Sequence, residues 1–556
     1  MNTLRQLRTL FLGLCVLLFG SQALAQQEVT YERILNAQNE PQNWLTYNGS
    51  YASQRHSGLT QINRNNVDQL ELKWVLQNQV FGAWQSNPIV VDGVMYLTQR
   101  PNDVIAMDPV TGRVFWVYKH TPAENARVCC GANNRGIAIL GDKVYMGTLD
   151  ARLIALDRIN GKPLWNIAVG DVNLAYSITM APLIVKDKVM VGVGGGEYGI
   201  RGYVVAYDAD TGEEAWKFYT IPAPGEPGHN SWDDEDWEHG GAPVWITGSY
   251  DPNLNLTYWG VGNPGPDWNP YQRPGDNLYS DSVIALDADT GELKWHFQFT
   301  PNDGYDYDSV QVPVLVDREW HGQQRKLMLW ANRNGYFYVL DRTNGEFLLG
   351  KPYVKVNWSS GLDATGRPIP TPQPEGMPTW PGNQGATNWY PPSYSPRTGL
   401  FYFNSWEDYA TIYRAEEQQY EPGRAFLGGG FTVLTPAQGA PGVGIGRTNP
   451  VNTWTDEVGH AALLAMNPET GEPVWKFEQF DVSDGGILTT ATDLLFAGGR
   501  EGHFHALDAR TGELLWKTSL GGQIAMAPMT YMVNGVQYVT VISGNAMATF
   551  ALRGQE

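Results

Sequence analysis

Five short segments carry side chains able to do chemistry. VCCGANNRG holds the adjacent pair Cys129 and Cys130 with Arg135 close behind, and GVGGGEYGIRG presents Glu197 after a run of glycines. YWGVGNPGPDWN offers Asn263, PNDGYDYDSVQ offers Asp306 and Asp308, and WANRNGYFYVLDR offers Arg333. Two oxygen ligands, two further carboxylates and two guanidinium groups suit a hard cation beside a multiply anionic organic ligand. Taken singly, each reads as an ordinary surface polar group; only the set points to a site.

A routine structural disulfide joins distant segments, which Cys129 and Cys130 cannot do. In an oxidising compartment they close on each other into a small ring or stay as two thiols, with a redox-sensing pair as the alternative. No second cysteine cluster accompanies them as a metal site would require, and the absence of Cys-x-x-Cys-His excludes covalent haem in this chain.

The elements that must position these residues announce themselves as a repeated phrase, apolar-x-Asp-x-x-Thr-Gly-x-x-x-Trp. Copies run AMDPVTGRVFW from Ala106, ALDRINGKPLW from Ala155, AYDADTGEEAW from Ala206 and ALDADTGELKW from Ala285. VLDRTNGEFLL from Val339, AMNPETGEPVW from Ala465 and ALDARTGELLW from Ala506 complete the set. Each alternates apolar and polar residues, turns at a Thr-Gly or Asn-Gly pair suited to positive φ, and ends in another short strand. Neighbouring copies mostly lie roughly 40 to 55 residues apart, the length of one four-stranded sheet. With the strand Leu70 to Leu76 and a degenerate hairpin at Ser395 to Phe403, the pattern predicts an all-β, eight-bladed β-propeller over 26–556, its N-terminal strand closing the ring against the C-terminal blade. The repeated tryptophans are then core. The intervals Asp208 to Asp287 and Asp341 to Asn467 exceed one blade, and long loops of that kind carry function or cover a site. The acidic loop 229–240 reads as a solvated face and is assigned no role.

Composition agrees. Of 556 residues only 17% are charged, while Gly (62), Pro (35), Trp (21) and Tyr (28) abound, which excludes coiled coils and helical bundles. An apolar share of 42% supplies ample core, which excludes disorder. Lys and Arg total 38 against 58 acids, a net charge of −20 that repels phosphate backbones and anionic lipid, so nucleic acid is not an expected partner. Residues 1–25 read as a secretory signal: Arg5 and Arg8 precede the apolar run Leu10 to Gly20, and Ala23-Leu24-Ala25 forms a small-x-small cleavage site. No apolar run reaches membrane-spanning length. The expected product is exported, periplasmic and acidic.

With the Cys-Cys-Arg segment, the glycine-rich glutamate segment and the repeats in place, the chain resembles the quinoprotein alcohol dehydrogenases of the methanol and ethanol type. These are periplasmic eight-bladed propellers holding pyrroloquinoline quinone (PQQ) and a metal ion. The resemblance implies that Cys129 and Cys130 form a vicinal disulfide over one face of the quinone and that Trp245 stacks on the other. It implies Glu197, Asn263 and Asp306 as metal ligands, Asp306 also as catalytic base, and Arg333 as the cation near the quinone carbonyls. Arg135, Thr179 and Asn388 match contacts to the cofactor's carboxylates or ring atoms. Three positions depart from the family pattern: Gln85 replaces a glutamate, Pro243 a threonine and Asp484 a tryptophan.

The implied reaction is oxidation of a primary alcohol to an aldehyde. Asp306 would take the hydroxyl proton as hydride passes to the quinone, and a soluble cytochrome c would accept the electrons. Asp308 adds an oxygen ligand whose charge a trivalent ion tolerates better than calcium does. It is expected to share a face with Asp306 across an extended backbone, and members with this second aspartate resemble the lanthanide-dependent branch. Calcium is the alternative metal. A non-catalytic propeller scaffold and a quinoprotein acting on sugars or aldehydes are the competing functions; the first needs no acidic cluster, and the second should lack the cysteine pair. The preferred alcohol and a homodimer stay open, as do the positions of Trp268, Trp389 and Trp406 relative to substrate.

Overall fold

Every copy of the repeated phrase folds as the last antiparallel hairpin of its blade, and in every copy but the one from Val339 a tryptophan leaves that blade to cover the next. The computed structural model describes residues 27–82, 84–233, 237–374, 376–407, 409–434, 460–479 and 483–555. The expected signal at 1–25 lies outside the described residues.

In chain order, blade 1 comprises Ile89–Val91, Val94–Gln99, Asp103–Met107 and Val114–Tyr118. Blades 2, 3, 4 and 5 repeat this order from Ala138–Leu140, Leu183–Val185, Ser249–Asp251 and Val314–Trp320. Blade 6 opens with the hairpin Ser393–Ser395 and Leu400–Glu407, then resumes at His460–Asn467. Blade 7 starts at Leu488–Thr490 and gains a fifth, parallel strand, His56–Ser57. Blade 8 takes three strands from the C-terminal end and its outermost one, Leu70–Gln77, from the N-terminal part, paired antiparallel to Ala546–Leu552. The ring therefore closes by hydrogen bonds between chain regions more than 450 residues apart in sequence, which leaves no seam to fray.

The phrase works through its glycine and its tryptophan together. Gly291 sits at φ +72°, where a Cβ is strained, and a Cβ there would also come within 2.5 Å of the Trp216 ring from blade 3. Trp216 Nε1 donates to Ala288 O at 3.1 Å, fixing the indole across the blade boundary. The same contact joins Trp74 to Gly112, Trp116 to Gly161, Trp165 to Gly212, Trp295 to Gly345 and Trp475 to Gly512. Blade 5, whose phrase ends in leucine, meets Gly471 with Leu349, and Trp516 packs on Phe550 of blade 8 at 5.6 Å. The repeated tryptophans are core, as the sequence predicts.

Strand alternation decides where function sits. The phrase turns, which join third to fourth strands, lie on one rim. The turns joining second to third strands and the segments between blades must then lie on the opposite rim. Cys129, Cys130, Trp245, Asp306 and Asp308 occupy segments between blades; Glu197, Asn263 and Arg333 occupy second-to-third connections. All converge on one end of the ring. The two long intervals also resolve: residues 261–281 extend blade 4, residues 353–392 bridge blades 5 and 6, and the hairpin Ala410–Ala415 with Gly429–Leu434 is inserted into blade 6.

Candidate active site

At that end lies a cavity of about 520 Å³, a volume suited to a small organic cofactor. Its wall includes Cys129, Cys130, Arg135, Thr179, Glu197, Trp245, Asp306, Asp308 and Arg333. The structure joins Cys129 to Cys130 in a vicinal disulfide, exposed toward the cavity mouth. Arg100 Nε donates to Ala132 O at 2.9 Å, and Asn133 Nδ2 to Cys130 O at 2.8 Å, so the loop carrying the disulfide is tied down on both sides. A Glu197 carboxylate oxygen and both sulfurs lie within 4.8 Å of one another. Disulfide sulfurs are poor ligands for a hard cation, so this trio brings the ring beside the acidic pocket without being a metal site itself.

Arg135 is buried and donates through Nη1 to Thr179 Oγ1 at 2.9 Å. Its guanidinium lies 5.0 Å from the Trp245 ring and 4.6 Å from Trp389, which holds a planar cation next to an aromatic wall. That pairing suits a flat, anionic molecule: an indole face for the ring system and a guanidinium for a carboxylate.

The acidic half is organised by Arg333, which is buried. Nη1 lies 2.6 Å from Asp308 Oδ2, and Nη2 lies 3.1 Å from Asp306 Oδ2 and also donates to Asn383 O. Asp308 Oδ1 accepts from Asn263 N–H at 2.8 Å. Gly262 makes that approach feasible, since a Cβ there would lie 2.3 Å from Asp308 Oδ1. Asp306 and Asp308 do face one guanidinium while the Tyr307 ring turns into the core, but not through extended backbone. Asp306 has φ +61°, in the left-handed region, so a turn rather than strand alternation presents it.

Asp267 joins this group, and the sequence reading missed it. Four residues past Asn263 in GNPGPDWN, it lines the cavity, is buried, and its Oδ1 has no hydrogen-bond partner. Its only sequence signal is an acid in a Gly/Pro segment next to a tryptophan. Burial, then Glu197, Asp306 and Asp308, hold the Asp267 carboxyl well above the usual carboxylate range. Burial likewise raises Asp306, opposed by Arg333 and reinforced by Asp308, Glu197 and Asp303; it pushes Asp303 up to about 6. Arg333 and Arg273 oppose these shifts without cancelling them, so the acids still lack positive charge, and a multivalent cation ligated by oxygen fits that deficit. Asn263 stands behind Asp308, its Oδ1 3.6 Å from where a Gly196 Cβ would lie, and so joins the Glu197 turn to the acidic cluster.

Asn388 is placed elsewhere. Its Nδ2 donates to Gln384 O at 3.0 Å, and it lines a small void with Gln311 and Tyr390 rather than this cavity. Pro243 lies on the cavity wall. Gln85 is buried, and Asp484 forms a buried ion pair with Arg500 at 3.0 Å and accepts from Tyr390 Oη at 2.7 Å. Trp268 is on the wall, Trp389 beneath Arg135, and Trp406 beneath Arg500 at 5.2 Å.

Comparison with known proteins decides the family. Residues 44–363 and 359–539 match the family described as "PQQ: Glucose/ethanol/alcohol dehydrogenase, beta-propeller domain". The chain belongs to the PQQ-dependent alcohol dehydrogenases. This quinoprotein is 39% identical to the quinoprotein alcohol dehydrogenase PedH of Pseudomonas putida over 554 residues, covering 94% of this chain and 89% of the relative. It is also 39% identical to the quinohemoprotein alcohol dehydrogenase ADH IIB of Pseudomonas putida, covering 97% and 78%. Among solved structures, a europium-containing methanol dehydrogenase superposes with a TM-score of 0.86 at 32% identity, covering 94% of this chain and all of that one. The quinoprotein's disulfide, indole, arginines and acidic pocket are chemically suited to PQQ and a metal ion.

Proposed function

We propose that this quinoprotein oxidises a primary alcohol to an aldehyde in the periplasm with a lanthanide beside its PQQ, and passes the electrons to a soluble cytochrome c. The observation that carries the reading is the gathering of Glu197, Asp267, Asp306 and Asp308 on the wall of one cavity, with Arg333 paired to Asp306 and Asp308.

PQQ, when bound, supplies the acceptor for the alcohol's hydride, and the metal ion supplies a Lewis acid. The protein's own groups do the rest. Arg135, paired with Thr179, would hold a cofactor carboxylate, and Trp245 and the Cys129–Cys130 ring would offer surfaces to a flat ring system without using its polar edge. Glu197, Asn263, Asp306 and Asp308 would hold the metal. Asp306, the more exposed of the two paired aspartates, accepts the hydroxyl proton in this reading. Arg333 favours negative charge developing beside it in the transition state. The secretory signal expected at residues 1–25 supports the compartment. In this reading the acceptor haem belongs to a soluble cytochrome c.

A lanthanide is preferred to calcium because a crowded carboxylate set needs more charge from its ion, and the europium-containing relative supports that choice. The test is reconstitution of metal-free protein with PQQ and either a light lanthanide or calcium, followed by dye-linked ethanol oxidation. The lanthanide form should be at least about tenfold faster, a difference of about 1.4 kcal/mol in barrier. Equal or better activity with calcium leaves a calcium enzyme; no oxidation with either metal removes the catalytic reading.

A further inference from the structure

The two strands inserted in blade 6, Ala410–Ala415 and Gly429–Leu434, form a small sheet of their own, and residues 416–428 run between them as a strap outside the eight blades. The strap holds its own shape. Gln418 Oε1 accepts from the N–H groups of both Leu427 and Gly428 at 2.9 Å, and Gln418 Nε2 donates to Ala425 O at 2.7 Å. One side chain thus closes the loop from within and offsets the entropy lost in ordering its backbone.

So closed, the strap reaches two segments of the reaction cavity. Phe426 N–H donates to Glu197 O at 2.7 Å. Gly199, at φ +65°, ends the short turn that presents Glu197, and a Cβ there would come within 2.9 Å of the Tyr420 ring and 3.1 Å of the Phe426 ring. Leu427 O accepts from Trp268 N–H at 2.8 Å, and Gln418 exchanges two hydrogen bonds with Gln272, so the strap also grips the segment that follows Asn263 and Asp267. Behind it, His239 stacks on Tyr420, ring centroids 3.5 Å apart and planes 12° from parallel. The far end of the acidic loop 229–240 therefore backs the strap.

We infer that the strap is a positioning element for Glu197, and that Gln418 and Tyr420, neither of which lines the reaction cavity, set how tightly the site holds its metal. The inference rests on the reading of Glu197 as a metal ligand. Glu197 stands in a turn rich in glycine, whose backbone has wide freedom when nothing restrains it. A ligating carboxylate has to be held within about 0.5 Å of its working place by its supports. The strap supplies that restraint through the bond to Glu197 O and the two rings on Gly199, while the blades close without it.

The test is europium(III) titrated calorimetrically into metal-free protein reconstituted with PQQ, with europium luminescence lifetimes in H2O and D2O reporting the waters left on the ion. Neither readout needs turnover. In Gln418→Ala and Tyr420→Ala the dissociation constant should rise at least about tenfold, the range seen when groups that orient metal ligands are lost, and the ion should gain bound water as Glu197 withdraws. Tyr420→Phe keeps the ring on Gly199 and His239 and should match the parent in both readings. Trp216→Ala, a scaffold control in the outer strand of blade 3, should also match it. Parent-like affinity and hydration in both alanine variants overturn the proposal and leave the metal reading standing. Equal weakening in Trp216→Ala overturns it too, since the effect would then be a general loss of stability. If Glu197→Ala binds europium as tightly as the parent, Glu197 is no ligand and the inference falls with that reading.

Discussion

Arg333 and Asp308 form a buried ion pair, Nη1 lying 2.6 Å from Oδ2, while the other Asp308 oxygen is held by the backbone N–H of Asn263. The carboxylate is thereby fixed from two sides before any metal arrives. Asp308→Ala should erase the advantage of a light lanthanide over calcium, bringing the ratio of the two activities to about one or below. Asp308→Asn keeps the shape and removes the charge, so it should track the alanine variant if charge matters. A lanthanide preference surviving in both would show that Asp308 serves only as a counter-ion to Arg333.

Cys129 and Cys130 make a claim that needs no turnover. Mass spectrometry of unreduced protein should find the peptide containing them two hydrogens lighter than its dithiol form, with no alkylation until a reductant is added. Two alkylatable thiols in active, air-exposed enzyme would remove the disulfide from the site.

Much of the fold was legible because one local phrase does two jobs. Gly291 marks a turn by its conformational need, and the same residue receives Trp216 from the blade before, so counting phrases counts interfaces. Both halves of blade 6 were legible, the hairpin at Ser395 to Phe403 and the phrase from Ala465, but not that they pair, because Leu400–Glu407 and His460–Asn467 are separated by a long insertion. In the site, Glu197, Asp306, Asp308 and Arg333 were readable from their segments. Asp267 was not: its meaning depends on proximity to Glu197, which no pattern near either residue encodes. The left-handed turn at Asp306 was equally hidden, since strand alternation alone gave the right neighbours for a different backbone reason. The place of Trp268 on the cavity wall could not be read until the insertion of blade 4 had met that of blade 6 at Phe431.

Trp216 separates scaffold from site. Truncation to alanine empties a buried blade interface and loses the hydrogen bond to Ala288 O, a change costing about 3 to 5 kcal/mol for a large aromatic. Gly291→Val attacks the same contact from the other side, through positive φ and a Cβ pressed on the indole. For a chain of this size the informative measurement is the half-life of thermal inactivation. Both variants should inactivate several-fold faster while kcat and KM for ethanol, measured before heating, stay near the parent values. A specific loss of kcat with an unchanged half-life would place Trp216 in the chemistry.

His505 predicts how the fold responds to acid. It lies buried in the third strand of blade 7, His503–Asp508, with its ring 5.4 Å from Phe477 and no partner for Nδ1. Burial, aided by His503 and Lys517, lowers its pKa from 6.5 to about 4. The folded state therefore keeps the imidazole neutral where the unfolded chain would protonate it. Above pH 6.5 neither state takes the proton and the residue is neutral for stability. As pH falls from about 6.5 toward 4 the unfolded state gains protons first, so stability is lost across that window, roughly 2 kcal/mol by pH 5. His505→Phe keeps a ring against Phe477 and removes the titration. Its thermal-inactivation half-life should shorten less steeply than the parent's between pH 6.5 and 5, with the two curves parallel above pH 7. Parallel curves throughout the acid range would show that His505 is protonated in the folded protein and that burial does not hold it neutral.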